Sequence, residues 1–139
     1  MAKSPLQSGE QDRPDKLTGW SGRVRLWIEI EGGGTIGPGK LRLLEALART
    51  QSLAEAAKSE RMSYRYAWKH LKLLEQRTGL QLVERRRGGQ AGGGTALTPD
   101  GCALLEAYLA WREAMRRDAE DSFRRHFAAL ASPRPSTDP

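Results

Sequence analysis

The stretch Ser52–Leu74, SLAEAAKSERMSYRYAWKHLKLL, decides the fold of this chain. Ser52, followed three residues later by Glu55, is a capping box that marks the start of a short helix. Ser63 is a natural cap for a second helix, and Glu60–Met62 are left to form a tight corner between the two. The pattern predicts a helix-turn-helix with helices at about residues 53–60 and 63–76.

The second of these helices carries two different faces. Its apolar stripe consists of Tyr64, Ala67, Leu71 and Leu74, with Trp68 at the edge. Its polar face consists of Arg65, Lys69, Lys72 and Gln76, which are spaced at three and four residues. Cations on one stripe repel each other in a free helix, whereas phosphates and guanine edges would attract them. We interpret this as a helix that enters the DNA major groove, and an ordinary amphipathic helix is the alternative.

The positive charge of the chain is concentrated around this helix. The net charge is +6. Residues 61–87 contain two acidic residues, Glu75 and Glu84, and eight basic ones: Arg61, Arg65, Lys69, Lys72, Arg77, Arg85, Arg86 and Arg87. This surplus of six equals the net charge of the whole chain, so a polyanion would bind this region. The alternative is a solvated surface that happens to be basic.

The residues upstream predict a polar tail, a strand and a first helix. Residues 1–22 are rich in Ser, Pro, Gly and charge, which is typical of a mobile tail. RVRLWIEIE at 23–31 alternates strictly, which predicts a strand with Val24, Leu26, Ile28 and Ile30 on its buried face. The run Gly32–Gly34 ends that strand. A helix is predicted from Pro38 to Arg49, because proline suits the first helical turn.

The residues downstream predict a wing, which is a β-hairpin that follows the second helix of such a pair. Leu80–Glu84 and Thr95–Thr98 are its predicted strands, so the wing covers residues 80–98. The connection RRRGGQAGGG is basic and then rich in glycine, and its tip would place Arg86, Arg87 and Gln90 along the DNA backbone or in the minor groove. A phosphate-binding loop is excluded here because the lysine of that motif is missing.

A long helix is predicted over residues 99–131, and a second disordered tail over 132–139. Thr98 caps the helix, Pro99 takes its first position and Asp100 faces its positive end. About 33 residues at ~1.5 Å each give roughly 50 Å, which is too long for so small a domain to bury. We therefore predict a homodimer through this helix. The predicted dimerisation residues are Leu105, Tyr108, Leu109, Met115 and Phe123.

Composition excludes several classes of protein. No run approaches the ~18 to 20 apolar residues of a membrane span, and the N-terminus has no apolar core typical of a secretory signal. One cysteine and two histidines permit neither an internal disulfide nor a zinc finger, and they cannot supply a nucleophile, a base and an orienting group. We therefore predict a cytoplasmic protein that is not an enzyme and has no cofactor, no metal site and no membrane partner.

Three stretches of the chain resemble a known family. They are LLEALARTQSLAEAAKSERMSYRYAWKHLKLLEQ, LVERRRGGQAGGGTALTPDG and the long helix. In combination, S-Y-x-x-A-W from Ser63 to Trp68 and the glycine-rich wing with L-T-x-x-G resemble the N-terminal DNA-binding domain of the ModE molybdate-responsive regulators, which is related to the LysR type. The resemblance covers roughly residues 20–130. It implies a mainly α fold with a small β-sheet: a winged helix-turn-helix with an N-terminal strand and a long C-terminal dimerisation helix.

The resemblance also implies a function. A dimeric transcriptional regulator would bind double-stranded DNA at a two-fold symmetric operator, with its recognition helices ~34 Å apart. Arg65 and Lys69 are the first candidates for contacts with base edges, because arginine to guanine is the commonest specific contact. Ser63, Tyr64 and Lys72 are predicted to hold phosphates. The wing would bind DNA through Arg85, Arg86, Arg87 and Gln90.

Two alternatives and one departure remain open at this point. The chain is alternatively an architectural or accessory nucleic-acid protein without operator specificity, or a protein-interaction module built on a helix-turn-helix. The ModE family senses molybdate through additional C-terminal domains, and this sequence stops after the long helix. Molybdate control therefore does not carry over. Either the protein binds DNA constitutively, or a separate sensor protein is its partner, or it responds to another signal.

Overall fold

The computed structural model describes residues 16–86 and 94–131. Residues 1–15, 87–93 and 132–139 lie outside the described residues, so most of the predicted N-terminal tail, all of the C-terminal tail, and Arg87 and Gln90 are among them. The chain divides into two compact units. One comprises residues 25–114, and the other combines the N-terminal residues up to 24 with residues from 115 onward. The fold is mainly α with two small antiparallel sheets, which confirms the predicted class.

The N-terminal strand is shorter than predicted and has a partner that the sequence did not predict. Strand β1 (Ile28–Ile30) pairs with β2 (Gly34–Ile36), so that Ile28 lies opposite Ile36. The alternation holds for Ile28 and Ile30, which are partly buried, but Val24 is 51% exposed and lies outside the strand. The glycine run does not simply end β1. It forms a tight turn, in which the Gly33 amide donates to the Ile30 carbonyl at 2.8 Å, and Gly34 begins the returning strand at φ +81°.

Three helices follow at the predicted places. They are α1 (Pro38–Thr50), α2 (Leu53–Ser59) and α3 (Tyr64–Thr78). Ser52 Oγ accepts from the Glu55 amide at 3.2 Å and Ser63 Oγ from the Tyr66 amide at 3.1 Å, as their capping roles predict. The corner between α2 and α3 closes where the Met62 amide donates to the Ala57 carbonyl at 2.9 Å, with Arg61 at φ 56°. The helix-turn-helix is therefore present.

The core of this unit lies between the three helices. Leu41, Leu44 and Leu47 of α1 are fully buried. The small residues Ala56 and Ala57 are buried on α2, which allows α1 and α3 to pack closely against it. The buried stripe of α3 is Ala67, Leu71 and Leu74, with Trp68 half-buried beside it. Tyr64 was predicted to belong to that stripe and does not: it is 49% exposed, because the first turn of α3 extends beyond the core.

The predicted wing is present, but its strands are displaced along the sequence. Strand β3 (Val83–Arg86) pairs with β4 (Gly94–Leu97), and Arg85 lies opposite Thr95. The predicted strands were 80–84 and 95–98. Residues 79–82 instead form an irregular link in which the Leu82 amide donates to a carboxylate oxygen of Glu75 at 2.8 Å. The Leu82 amide is therefore unavailable to a strand, and pairing starts at Val83.

The last helix, α4 (Pro99–Ala131), has the predicted bounds. Thr98 Oγ1 accepts from the Gly101 amide at 3.0 Å, and Gly101 packs so closely on the Leu82 carbonyl that a side chain would collide with it. Leu105 and Tyr108 were predicted to face a second copy. They belong instead to the core of their own unit, since they are 6% and 4% exposed. An apolar wheel does not distinguish a face that packs within the chain from one that awaits a partner.

The second unit includes the C-terminal half of α4. Residues 16–22, which the sequence assigned to the mobile tail, form a turn in which the Trp20 amide donates to the Leu17 carbonyl at 2.9 Å. Leu17 is buried, and Gly22 packs against Phe123. The predicted tail therefore includes a turn in which Leu17 is buried and Trp20 is exposed. No helix in the described part of the chain is long and apolar enough to cross a membrane.

Candidate nucleic-acid interface

The polar face of α3 is exposed along its length. Arg65, Lys69, Lys72 and Gln76 are all exposed, while Ala67, Leu71 and Leu74 anchor the opposite side of the helix in the core. The helical spacing brings the three cations onto one surface, as predicted. No acidic residue lies in the first turn of α3, so the positive end of the helix dipole adds to their field. This surface is suited to a polyanion.

Ser63 and Tyr64 lie at the start of this surface and are exposed. The Ser63 hydroxyl accepts from the Tyr66 amide, and among residues 16–86 and 94–131 its own proton has no acceptor, so the hydroxyl can donate to a ligand. The Tyr64 ring meets the Trp68 ring edge-on, with centroids 6.4 Å apart. This contact orients Tyr64 without burying its hydroxyl end. Tyr66 is also exposed and packs edge-on against His70 at 4.2 Å.

Trp68 joins α3 to the wing. The Arg85 guanidinium of β3 lies over the Trp68 ring, 4.5 Å from its centroid, and the Lys72 ammonium lies 5.7 Å away. The indole N–H is buried and has no hydrogen-bond partner among residues 16–86 and 94–131. The sequence placed Trp68 at the edge of the apolar stripe of α3. Trp68 does pack against the core, and it also holds a wing cation beside the helix cations.

An open groove lies between α3 and β3. Its volume is about 670 Å³, and it is lined by Trp68, Lys69, Lys72, Gln81, Val83, Glu84 and Arg85. Three of its lining residues are cations and one is an anion, so the groove continues the positive face of α3 onto the wing strand. Arg85 and Arg86 are both exposed on β3. The arrangement therefore brings Lys69, Lys72 and Arg85 together.

Glu75 connects α3 to the start of the wing strand, which the sequence did not predict. Its carboxylate accepts from the Leu82 and Val83 amides at 2.8 and 3.5 Å through one oxygen, and the other oxygen lies 3.4 Å from the Lys72 ammonium. Glu75 is only 14% exposed at its side chain, whereas Lys72 is 70% exposed. One carboxylate thus fixes the start of the wing strand and orients a surface lysine. The available signal was that Glu75 is one of two acidic residues among eight basic ones in residues 61–87.

The wing is also attached to the end of α1, through strand β4. The Thr95 amide of β4 donates to the Gln51 carbonyl at 3.3 Å, and Gln51 has the left-handed conformation at φ 55° that ends α1. Gly94 approaches the same carbonyl closely, because a side chain there would lie 2.8 Å from it. The helices therefore hold β3 at the base of the hairpin, next to Val83, and β4 nearer the wing tip, at Gly94 and Thr95.

A second group of basic side chains lies beside α3, outside the predicted site. Burial lowers the pKa of Lys40, which is in the first turn of α1, and Arg77 of α3 lowers it further. Burial also lowers the pKa of His70, with additional contributions from Lys40, Lys69 and Arg77. The sequence did not predict this group, because Lys40 lies far along the chain from the basic segment 61–87. Only the fold brings α1 and α3 together here.

The remaining predicted dimerisation residues are less buried than Leu105 and Tyr108. Leu109 is half-buried and packs against the core of the first unit. Met115 and Phe123 lie in the second unit and are half-buried. The Phe123 ring stacks on Phe127 with centroids 4.6 Å apart.

The part of the chain that matches a known family begins with α1 and ends in the first turn of α4. Residues 38–102, from the start of α1 to the start of α4, match the family described as bacterial regulatory helix-turn-helix protein, lysR family. The chain is 35% identical over 100 residues to the transcriptional regulator ModE of Haemophilus influenzae, a match that covers 72% of this chain and 38% of that protein. It is 35% identical over 91 residues to the molybdenum-pterin-binding protein MopB of Rhodobacter capsulatus, covering 65% of this chain and 34% of MopB. The chain therefore spans little more than a third of the length of these relatives.

Two solved structures have a similar fold. Vibrio fischeri DarR, crystallised in complex with DNA, has a TM-score of 0.51 at 20% identity, over 70% of this chain and 31% of that one. MepR, a transcription regulator of the Staphylococcus aureus multidrug efflux pump MepA, has a TM-score of 0.51 at 21% identity, over 68% of this chain and 75% of that one. At these identities the likeness concerns the fold alone.

Proposed function

We propose that this chain, whose residues 38–102 form a helix-turn-helix domain of the LysR family of bacterial regulatory proteins, is a sequence-specific DNA-binding transcriptional regulator. The observation that carries the proposal is the continuous exposed basic surface of α3 and β3, joined where Arg85 lies over Trp68. The names of the relatives, transcriptional regulators among them, support the same function. The chain spans about a quarter to two fifths of their length, so their activities enter here only as part of the proposal.

In the proposed mechanism, α3 enters the major groove and its first exposed turns meet the base edges. Arg65 and Lys69 contact bases, because both are exposed and unpaired with any carboxylate in the described part of the chain. Lys72 is paired with Glu75, which holds the lysine in position, and it contacts a phosphate. Ser63 and Tyr64 contact phosphates at the start of the helix.

The wing contributes a second set of contacts in this mechanism. Arg85 and Arg86 follow one another along β3, so their side chains leave opposite faces of the strand. Arg85 is held over Trp68 and extends the surface of α3, while Arg86 projects to the other face. Arg87 and Gln90 belong to the proposal on their sequence alone. Trp68 and Glu75 act as positioning residues, since they hold the wing rather than the DNA.

The proposed protein acts as a homodimer on a two-fold symmetric operator. Leu109, Met115 and Phe123 are the residues of α4 that we propose for the dimer interface, since each is only partly buried in its own chain. A dimer would present two recognition helices to successive major grooves, ~34 Å apart. Molybdenum appears in the name of one relative, of which this chain covers 34%. We therefore test molybdate as a ligand that could control DNA binding.

Selection of bound sites from genomic DNA tests this proposal. The chain is incubated with fragmented genomic DNA, the bound fragments are sequenced, and the affinity for the best site is compared with that for random DNA at fixed salt. A symmetric consensus bound at least ~1,000-fold more tightly than random DNA supports a regulator. Equal affinity for both would show an architectural protein, and no binding to either would refute the proposal. Repeating the selection with molybdate tests whether that oxyanion affects binding.

A further inference from the structure

The outer strand of the N-terminal sheet has a free edge. Strand β1 (Ile28–Ile30) pairs with β2 and with no other strand in residues 16–86 and 94–131. Strand β2 packs against α3, and β1 lies on the outside of the sheet. Along one edge of β1 the backbone amide and carbonyl groups therefore have no strand to pair with. A free edge of this kind is a template for pairing with another chain.

The alternating pattern of the sequence extends well beyond β1. RVRLWIEIE covers residues 23–31, but residues 25–27 pair with no strand in the described part of the chain. Within β1 the alternation has its expected effect, because Ile28 and Ile30 pack against the core while Glu29 is exposed on the opposite face. The stretch before β1 thus has the pattern of a strand and lacks a second strand beside it.

The exposed face of this stretch carries opposite charges at its two ends. Arg23 and Arg25 precede Trp27, and Glu29 and Glu31 follow it at the same distances along the sequence. All four charged side chains are exposed, and none of them forms an ion pair with any residue that the structure describes. Trp27 between them is 53% exposed. The stretch is therefore its own complement when it is read in the antiparallel direction about Trp27.

One antiparallel register satisfies all of these groups. With Trp27 opposite Trp27 of a second copy, Arg25 lies opposite Glu29. Arg23 then lies opposite Glu31, the two-fold axis repeats both pairs, and the apolar residues between them face apolar residues. A register centred on Arg25 or on Glu29 would instead place like charges opposite each other, which is destabilising. A shift by one residue would turn the charged face onto the apolar one.

We propose that residues 25–29 of two copies of this chain pair as antiparallel strands about Trp27, with Arg23 and Glu31 extending the same register. The pairing joins two β1–β2 hairpins into one four-stranded sheet. It supplies a strand to the free edge of β1, a counter-charge to each of the four charged side chains and an aromatic neighbour to Trp27. The proposal rests on the homodimer of the proposed function and deepens it, because it names an interface outside α4.

Disulfide trapping in the full chain tests the pairing. Cys102→Ser removes the only cysteine, and one cysteine is then introduced in each chain. Trp27→Cys should give a disulfide-linked dimer under mild oxidation, because residues directly opposite in an antiparallel pair have Cα atoms ~4.5 to 5.5 Å apart, which suits a disulfide. Non-reducing gel electrophoresis measures the yield. Glu55→Cys, at an exposed position on α2, measures linkage by random collision.

Two further cysteine chains test the register and leave Trp27 in place. Arg25→Cys and Glu29→Cys should each stay unlinked alone, because each cysteine would lie four residues, or ~13 Å along the strand, from its own counterpart. An equal mixture of the two chains should form linked dimers once the subunits have exchanged. Circular dichroism verifies that each variant is folded, and the mixture provides the reading if Trp27→Cys is not.

Charge exchange tests the same register without a cross-link. Arg25→Glu alone and Glu29→Arg alone place like charges opposite each other, so each should weaken the dimer by roughly tenfold in analytical ultracentrifugation. A mixture of the two variant chains should recover the wild-type dissociation constant, because positions 25 and 29 then again have opposite charges in every pair.

Two results would overturn the proposal. The first is a chain that sediments as a dimer while Trp27→Cys and the mixed chains link no more than Glu55→Cys; that dimer would use another surface, and the homodimer of the proposed function would stand. The second is that Arg25→Cys alone links as fast as the mixture, which would exclude the register. Disulfide linkage requires no DNA. A chain that links as expected but binds no operator would therefore refute the proposed function and support the strand pairing.

Discussion

Removing the carboxylate of Glu75 should detach the start of the wing strand from α3. One of its oxygens accepts from the amide of Leu82 at 2.8 Å, in a place where the Leu82 side chain is fully buried. Glu75→Ala removes the acceptor of the part-buried Leu82 amide, whereas Glu75→Gln keeps an uncharged oxygen in the same position.

The expected loss of stability in Glu75→Ala follows from the contacts that the Glu75 carboxylate makes. A hydrogen bond to a charged acceptor contributes about 1.5 to 3 kcal/mol, and an unpaired buried amide costs about 1 to 3 kcal/mol. The Val83 amide at 3.5 Å is at the limit of a hydrogen bond, and the exposed Lys72 makes its ion pair worth at most about 1 kcal/mol. We expect Glu75→Ala to lower the free energy of unfolding by about 2 to 3 kcal/mol, and Glu75→Gln by about 1 kcal/mol.

Urea unfolding followed by circular dichroism measures these differences. Glu84→Ala is the matched control: it removes the same charge from an exposed position on β3 and should stay within about 0.5 kcal/mol of the wild-type chain. Lys72→Met separates the ion pair from the amide contacts. The reasoning is refuted if Glu75→Ala matches Glu84→Ala, or if Gln at position 75 is as costly as Ala.

Three further predictions concern DNA, assembly and pH. Arg65→Ala should weaken operator binding by about 1 to 3 kcal/mol and relax base preference at one position, measured by titration on operator variants; an equal loss on random DNA would make Arg65 a phosphate contact only. Met115→Asp should halve the mass measured by light scattering, and an unchanged mass would exclude Met115 from the dimer interface. Because the folded chain lowers the pKa of His70, the unfolded chain binds that proton more readily, and stability should fall as pH drops through about 6.5. His70→Gln should reduce that fall in urea midpoints, and an identical fall in both chains would contradict it.

Local sequence rules located the helices because their signals are carried by few residues. Ser52 and Ser63 act on the amides three positions further along, so the helix starts were readable without knowledge of the fold. Thr98 marked the start of α4 in the same way. The polar face of α3 followed from helical spacing. The family resemblance supplied what spacing alone left open, namely the hypothesis that this face binds DNA.

The predictions that were wrong share a physical cause. Each depended on tertiary contacts, which a local sequence pattern does not contain. Tyr64 lies on the apolar stripe of α3, but whether a stripe residue is buried depends on how far the neighbouring helices extend. Leu105 and Tyr108 were apolar in the correct places, yet their partner is the core of their own unit. The irregular link before β3 depends on a carboxylate seven residues upstream, Glu75, and no local pattern contains that contact.

Both strands of the hairpin attach the wing to the helices. On β3, Glu75 fixes the first amides and Trp68 holds Arg85; on β4, the Thr95 amide bonds to the Gln51 carbonyl at the end of α1. None of these contacts needs DNA, so the cations of α3 and β3 keep their relative positions before binding. A surface organised in advance loses less conformational entropy when a ligand binds. On the proposed function, Trp68 and Glu75 therefore contribute to DNA affinity without touching the DNA, because they determine where Arg85 and Lys72 stand.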